Sequence, residues 1–359
     1  MEGPTTAGLV PVRDSRGRFI GQGLYSPRSE IRLRLLERTE RRVDHGWWVE
    51  QLRRCADRRA GIDATAQRVV HGEGDAIPSL IVDRYDRWLV VQILSAGLET
   101  MREQIVAALI EVLRPEGILL RNDAPARRRE GLGAEVAETY GKVPREILVQ
   151  EGGIHYLAAP WDGQKTGAFL DQRPNRILAG RLMPEGGRAL DCFTYHGSFS
   201  LHLAWKAASV TALDVSPEAL ERGAANAKLN DLSNIEWTEA DTFDRLRELE
   251  RARERFDFIV LDPPAFAKSR ATVAPALRGY REINLRAMRI LSPGGMLLTA
   301  SCSFHVQLPD FLGMLYEAAG DSGRRIMLEQ VLSQGEDHPV VLTVPETGYL
   351  KGALLRAAN

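Results

Sequence analysis

The sequence predicts an α/β chain whose C-terminal half is a doubly wound sheet. Three observations predict it. From about residue 184 onward, short apolar runs alternate with helical stripes. Four of those runs end at or near an aspartate. The N-terminal part is different, with short alternating segments broken by glycine and proline. Strand–helix alternation implies parallel strands with helices on both faces. Ligands of such sheets bind beyond the carboxyl ends of the strands.

The elements follow in order. "GRFIGQGLYS" and "SEIRLRLLE" read as short strands, and 47–60 as a helix. "GDAIPSLIVDRYDRWLVVQILSAG" places two apolar strands around a turn at Asp83–Arg87, a hairpin. In 99–117, Ile105, Ala108, Leu109, Val112 and Leu113 have helical spacing that Pro115 and Gly117 stop. "GILLRND" is a further strand, and 152–180 reads as a strand, a Gly-rich turn and a helix start. Then come "GRALDCFT" (strand), "SFSLHLAWKAA" (helix), "VTALDVS" (strand) and a helix capped by Ser216 with Pro217 in its first turn. "NIEWTEAD" and "FDFIVLD" are strands. Leu277, Tyr280, Ile283, Ala287 and Leu291 form one helical stripe, and "SPGG" turns into the strand "MLLTASCS". The domains expected are a β segment over 1–42, a small mixed α/β domain with connector over 43–183, and the doubly wound domain over 184–359.

Bulk properties bound the function. The chain has 359 residues, 44% of them hydrophobic, which suffices for more than one packed core. It has no long apolar run and no basic-then-apolar leader, so a cytoplasmic protein without a membrane span is expected. Lys+Arg is 47 against Asp+Glu 48, which argues against a simple polycation. The Arg-rich stretches 27–42 and 121–130 read as solvated surface. Three cysteines, Cys55, Cys192 and Cys302, with no Cys-x-x-Cys pair, argue for reduced thiols and against a zinc site.

The strand ends carry the chemistry. Asp191, Asp214, Asp241 and Asp262 stand at four of them. A carboxylate at the second strand end suits a ribose diol. The first turn, "DCFTYHGSFS", has one glycine, Gly197, and two bulky aromatics, Phe193 and Tyr195. Nothing there lets backbone amides close on a pyrophosphate, so the ligand should be a nucleoside without phosphates. A cationic methionyl group near Asp191 and an adenine amine on Asp241 together suggest S-adenosylmethionine. Each aspartate taken alone could equally cap the following helix.

In "FIVLDPPAFAKSR" an apolar strand stops at Asp262 before two prolines, which donate no hydrogen bond and hold an extended corner. An acid followed by an exposed ring, Phe266, suits a nucleobase with an exocyclic amine. The next strand ends at Cys302, flanked by Ser301 and Ser303. A thiolate adding at carbon 6 of cytosine would make carbon 5 nucleophilic, with Asp262 at N3 or the 4-amino group. Cys192, alternating away from Asp191, reads as core packing. His305 reads as a surface histidine, which leaves the base that takes the carbon-5 proton unassigned.

"FLDQR", "DCFTYHGSF", "LDPPAFAKS", "SCS" and "DHPV…GYLKG" over 337–352 together resemble the RlmI-type bacterial 23S ribosomal RNA cytosine-5 methyltransferases. The resemblance implies a Rossmann-like class I methyltransferase domain at the C-terminus, a central α/β domain, and an N-terminal PUA domain that helps hold RNA. It implies S-adenosylmethionine bound by Asp191, Asp214 and Asp241, with Phe193, Tyr195, Gly197, Phe169, Gln172 and Arg173 bordering it. Asp262 and Cys302 are then catalytic, with Pro263, Pro264, Phe266 and Lys268 at the substrate. The implied partner is 23S ribosomal RNA, with no metal and no membrane, and a homodimer stays open. The chain departs from the pattern twice. A "GHPWVF"-like first half of the PUA domain is absent, so 1–42 is expected to be a partial PUA-like segment, with either a reduced domain or a misassigned start. Ala265 also stands where two-cysteine relatives carry a second Cys. Two other readings are open: methylation of a purine ring nitrogen or amine with no covalent step, and a non-catalytic RNA-binding assembly factor.

Overall fold

The computed structural model describes residues 4–358. The chain divides into two compact units. The first comprises 1–151, 157–170 and 336–347. It opens with the antiparallel sheet β1 (Gly8–Arg13), β2 (Phe19–Tyr25), β3 (Leu33–Glu37). Helix α1 (His45–Arg58) follows, its N-terminus capped by Asp44, which accepts from the Trp47 amide. A five-stranded sheet then runs β4-β5-β6-β7-β8, with β4 (Ala66–His71), β5 (Leu80–Tyr85), β6 (Trp88–Ile93), β7 (Gly117–Asn122) and β8 (Glu135–Gly141). Only β6 and β7 pair in parallel, because α2 (Ala96–Glu99) and α3 (Arg102–Leu113) cross between them. The expected hairpin is β5–β6, pairing Tyr85 with Trp88 around Asp86, which takes φ 53. Short α4 (Ala126–Arg129) precedes β8, β9 (Ile147–Glu151) follows, and β10 (Ile154–Ala158) has residues in both units. Trp48, Leu52, Val82, Val91, Ile105 and Leu120 pack into one core.

The second unit comprises 152–156, 171–335 and 348–359. It begins with α5 (Arg173–Leu182), then β11 (Arg188–Cys192), α6 (Ser198–Ala204), β12 (Ser209–Asp214), α7 (Pro217–Leu229), β13 (Ile235–Glu239), α8 (Thr242–Arg251), β14 (Phe256–Leu261), α9 (Val273–Arg289) and β15 (Leu291–Ser301). It closes with α10 (Leu308–Ser322), β16 (Ile326–Leu332) and β17 (Lys351–Ala357). The sheet order is β13-β12-β11-β14-β15-β17-β16. The order reverses between β11 and β14, which is the switch point where such sheets bind ligands. The central strands are buried on both faces. Phe258 and Val260 face one core with Phe199 and Leu203, while Ile259 and Leu261 face the other with Ile283 and Phe311.

The structure corrects the expectation of a parallel sheet at one edge. β17 is antiparallel to both β15 and β16. Its sequence, "KGALLRA", is nearly all buried, and a continuous apolar run carries no direction. "SPGG" is not a turn before β15 but part of it, where the β14–β15 register shifts between Phe256 and Phe258. Asp191 lies inside β11 rather than at its end, and Asp241 lies beyond β13. Residues 336–347 fold with the first unit, not with the C-terminal domain. Asp337 explains this: its carboxylate accepts from the Arg68 amide at 2.9 Å and its carbonyl accepts from Arg59 at 2.9 Å.

Arg59 is 1% exposed and meets Asp75 through two bonds, 2.7 and 2.6 Å. Removing one partner of such a buried pair leaves the other charge desolvated and alone. Asp75→Ala is therefore expected to cost about 3–5 kcal/mol in urea unfolding. Arg59→Met/Asp75→Leu should cost clearly less than that single substitution.

Candidate active site

Two groups of side chains gather at the carboxyl end of the second unit's sheet. The first is the loop after β11. Asp191 is 1% exposed. Its Oδ2 accepts from Thr194 Oγ1 at 2.6 Å, Ser200 Oγ at 2.7 Å and the Ser200 amide at 3.0 Å. Its Oδ1 has no hydrogen-bond partner. Burial pushes its pKa up to about 6 against the pull of those donors, and the nearby Asp214 charge adds to the rise. The loop is wound tightly: Phe193 takes φ 63, Tyr195 φ 53 and Gly197 φ 83. Left-handed backbone at two non-glycine residues costs roughly 1–2 kcal/mol each, and such strain clusters at binding sites. A Cβ at Gly197 would lie 2.4 Å from the Trp237 ring, so that glycine makes room for indole packing as well as for the turn.

Asp214 ties the first loop to the second. Its Oδ2 accepts from the Tyr195 amide at 2.8 Å and its Oδ1 from the Ser216 amide at 3.0 Å. Asp241 is exposed and caps α8, with Oδ1 accepting from the Phe243 and Asp244 amides at 2.9 and 3.1 Å.

The second group surrounds the ends of β14 and β15, which pair in parallel with Leu261 opposite Thr299. That register brings the two following segments together. Cys302 is partly exposed, and its Sγ donates to the Pro263 carbonyl at 3.8 Å. Cys55 and Cys192 are buried; burial pushes the Cys55 thiol up to about 12 and raises that of Cys192. Asp262 Oδ1 accepts from Gln172 Nε2 at 2.8 Å. Gln172 Oε1 accepts in turn from Asn175 Nδ2 at 2.7 Å, which fixes the amide with its NH₂ toward the acid. Gln172, expected to border the cofactor, thus also holds Asp262.

Pro263 is buried, while Pro264 and Lys268 are exposed. Phe266 is not the freely exposed ring expected. It is half-buried, 4.6 Å from Tyr280, 5.9 Å from Phe243 and 6.4 Å from Phe193 between centroids. Aromatic pairing at these separations favours such packing over exposure. The cluster joins the two groups of side chains. Arg173 is buried at the start of α5, and Phe169 belongs to the first unit.

Sequence reasoning missed Ser303. Its Oγ accepts from the Ala267 amide at 3.1 Å and meets the Tyr280 hydroxyl at 2.9 Å, fastening the 263–268 segment to the cysteine loop. The serines beside Cys302 were visible in the sequence; their partners, from another strand end and a helix, were not. Among the described residues no group of three or more His, Cys, Asp or Glu could hold a metal ion, and no helix is long and apolar enough to cross a membrane.

A family model described as S-adenosylmethionine-dependent methyltransferase matches residues 102–356, and a PUA-like domain model matches 1–38. The chain belongs to the S-adenosylmethionine-dependent methyltransferase family. Full-length relatives narrow that class. The chain is 39% identical to ribosomal RNA large subunit methyltransferase I of Aeromonas hydrophila, over 99% of this chain and 91% of the relative. It is 36% identical to the Klebsiella pneumoniae protein of the same name, with the same coverage. The fold is shared with SMU.776, a methyltransferase structure with SAH, at a TM-score of 0.84, 22% identity, and 97% and 91% of the two chains. It is shared more loosely with a SAM-dependent methyltransferase from Agrobacterium tumefaciens, at a TM-score of 0.56, 17% identity, and 78% and 87% coverage. The protein is thus a methyltransferase that uses S-adenosylmethionine.

Asp191 has a measurable signature. Its pKa of about 6 lies above the ordinary 3.8, so between those values the folded chain holds a proton that the unfolded chain has lost. Stability should therefore fall by about 3 kcal/mol from this group as pH rises from 4 to 6, then level off. In urea unfolding, Asp191→Asn is expected to remove that decline. Parallel curves for the two proteins would contradict the assignment.

Proposed function

We propose that the protein methylates carbon 5 of a cytosine in large-subunit ribosomal RNA, with Cys302 as a covalent nucleophile. The observation that carries this reading is the partly exposed Cys302 thiol, 3.8 Å from the Pro263 carbonyl and one segment away from Asp262, while the other two thiols are buried. Relatives that align over 99% of this chain are named for ribosomal RNA of the large subunit. The PUA-like segment at 1–38 fits an RNA-holding role.

The residues present fit the methyl donor. Asp214 would take the ribose hydroxyls and Asp241 the adenine amine, through its oxygen not used in capping α8. The unpartnered Oδ1 of Asp191 suits the cationic end of the donor. Phe193 and Tyr195 line the loop between these carboxylates, with Gly197 at its exit. S-adenosylmethionine supplies an electrophilic methyl group.

Cys302 as thiolate adds to carbon 6 of the cytosine, and the electron pair of the C5–C6 double bond moves onto carbon 5 and the N3 side of the ring. Asp262, held by Gln172, accepts from the 4-amino group, or in its protonated form donates to N3, as that charge develops. Carbon 5 takes the methyl group, and the pair of the broken S–CH3 bond stays with the donor, which would leave as the neutral thioether. The carbon-5 proton then passes to a base, the C–H pair re-forms the double bond, and the sulfur leaves carbon 6 as thiolate. Pro263 and Pro264 hold the acid's backbone rigid, and the exposed Lys268 would meet a phosphate.

The test is incubation with labelled S-adenosylmethionine and ribosomal RNA, followed by nucleoside mass spectrometry. We expect 5-methylcytidine from the wild type and a fall of ~10³ or more in Cys302→Ala. Label on a purine, with Cys302→Ala still active, would replace this reading with methylation that needs no covalent step. Absence of donor binding by calorimetry would favour a non-catalytic assembly factor.

A further inference from the structure

Lys351 is a buried ammonium without a carboxylate. It opens β17 at 6% exposure, opposite Ser301, the residue before Cys302. Its Nζ donates to the Ser303 carbonyl at 2.7 Å and to the Tyr349 carbonyl at 2.7 Å. Among the described residues no Asp or Glu pairs with it. Lysines are almost never buried without a counter-charge, and two neutral carbonyls do not supply one. Its register partner Ser301 and its acceptor Ser303 flank Cys302, so the ammonium stands beside the cysteine loop.

We propose that Lys351 is a positioning residue that holds Cys302 as a thiolate. This rests on the reading of Cys302 as nucleophile. The ammonium grips the carbonyl of Ser303 on the far side of the cysteine, so it fixes the loop and places positive charge beside the sulfur. An opposite charge within about 4–6 Å favours the ionised form of a thiol, and the thiolate is the nucleophilic form. Other titratable groups around Cys302 are Asp262 after β14, Tyr280 on α9 and His305 in the same loop. Asp262 opposes the thiolate when ionised. Tyr280 stays protonated at neutral pH because burial raises its pKa. His305, three residues on, is partly exposed. Burial lowers Lys351 itself to about 8, while the Cys302 charge pulls it back up. Lys351 therefore carries its charge through neutral pH and loses it as pH rises past that value.

The test needs no RNA. The full-length protein is alkylated with iodoacetamide across pH 5–10, and the Cys302 peptide is followed by mass spectrometry. The wild-type thiol should titrate below the ordinary value of about 8.5. Lys351→Gln, which keeps donors but no charge, should raise that apparent pKa by about one unit or more, and Lys351→Arg should stay near the wild type. A wild-type thiol titrating at or above about 8.5 overturns the proposal even if Lys351→Gln does not fold. So does a folded Lys351→Gln with a wild-type profile. If 5-methylcytidine forms and depends on Cys302 while Lys351→Gln leaves the thiol unchanged, the lysine proposal fails and the covalent reading stands. A shifted thiol in an enzyme that makes no 5-methylcytidine gives the reverse result.

Discussion

The site depends on one backbone constraint: the parallel pairing of β14 with β15, with Leu261 opposite Thr299. That register decides that the chain leaves both strands at the same end of the sheet and at adjacent positions. The acid–proline corner and the cysteine loop then have to share space. Ser303 makes the sharing rigid by receiving a bond from the Ala267 amide and meeting the Tyr280 hydroxyl. A register slip in buried parallel strands would turn every side chain to the other face, and two separate cores oppose it, one on each side of β14.

Around that constraint the polar groups fall into two electrostatic roles. Asp191 and Asp214 are partly committed to the protein's own amides and hydroxyls, which fixes the β11 loop against β12. Each keeps acceptor capacity beyond those bonds, most plainly the Oδ1 of Asp191. Asp262 is committed differently, to a side-chain amide that Asn175 orients from one turn along α5. The first pair fixes the loop that we propose holds the methyl donor. The second arrangement leaves an oriented carboxylate next to a thiol. Preorganised groups of this kind cost no reorganisation when charge develops.

Much of this was legible in the sequence because it is local. Apolar runs ending on aspartate, the two prolines after Asp262 and the Ser216 cap all act within a few residues of themselves. Cys192 could be assigned to the core from alternation, and it is 0% exposed. What escaped detection depends on pairing across long sequence separations. The antiparallel entry of β17 between β15 and β16 leaves no mark in "KGALLRA", and Lys351 reaches the cysteine loop only through that entry. Phe266 was expected to project from the acid–proline corner, yet Phe193, Phe243 and Tyr280 arrive from three other elements to cover it. Asp241 shows the limit of the strand-end rule, since a carboxylate there can serve a ligand and a helix N-terminus at once.

The central claim is that sulfur bonds to the base during turnover. A ribosomal RNA fragment carrying 5-fluorocytidine tests it most directly, because fluorine at carbon 5 cannot leave as a proton and the sulfur cannot be expelled. With S-adenosylmethionine present, the account requires a denaturation-stable protein–RNA adduct whose mass maps to the Cys302 peptide and which Cys302→Ala does not form. Turnover of native cytosine to 5-methylcytosine with no such adduct on the fluorinated RNA would contradict it.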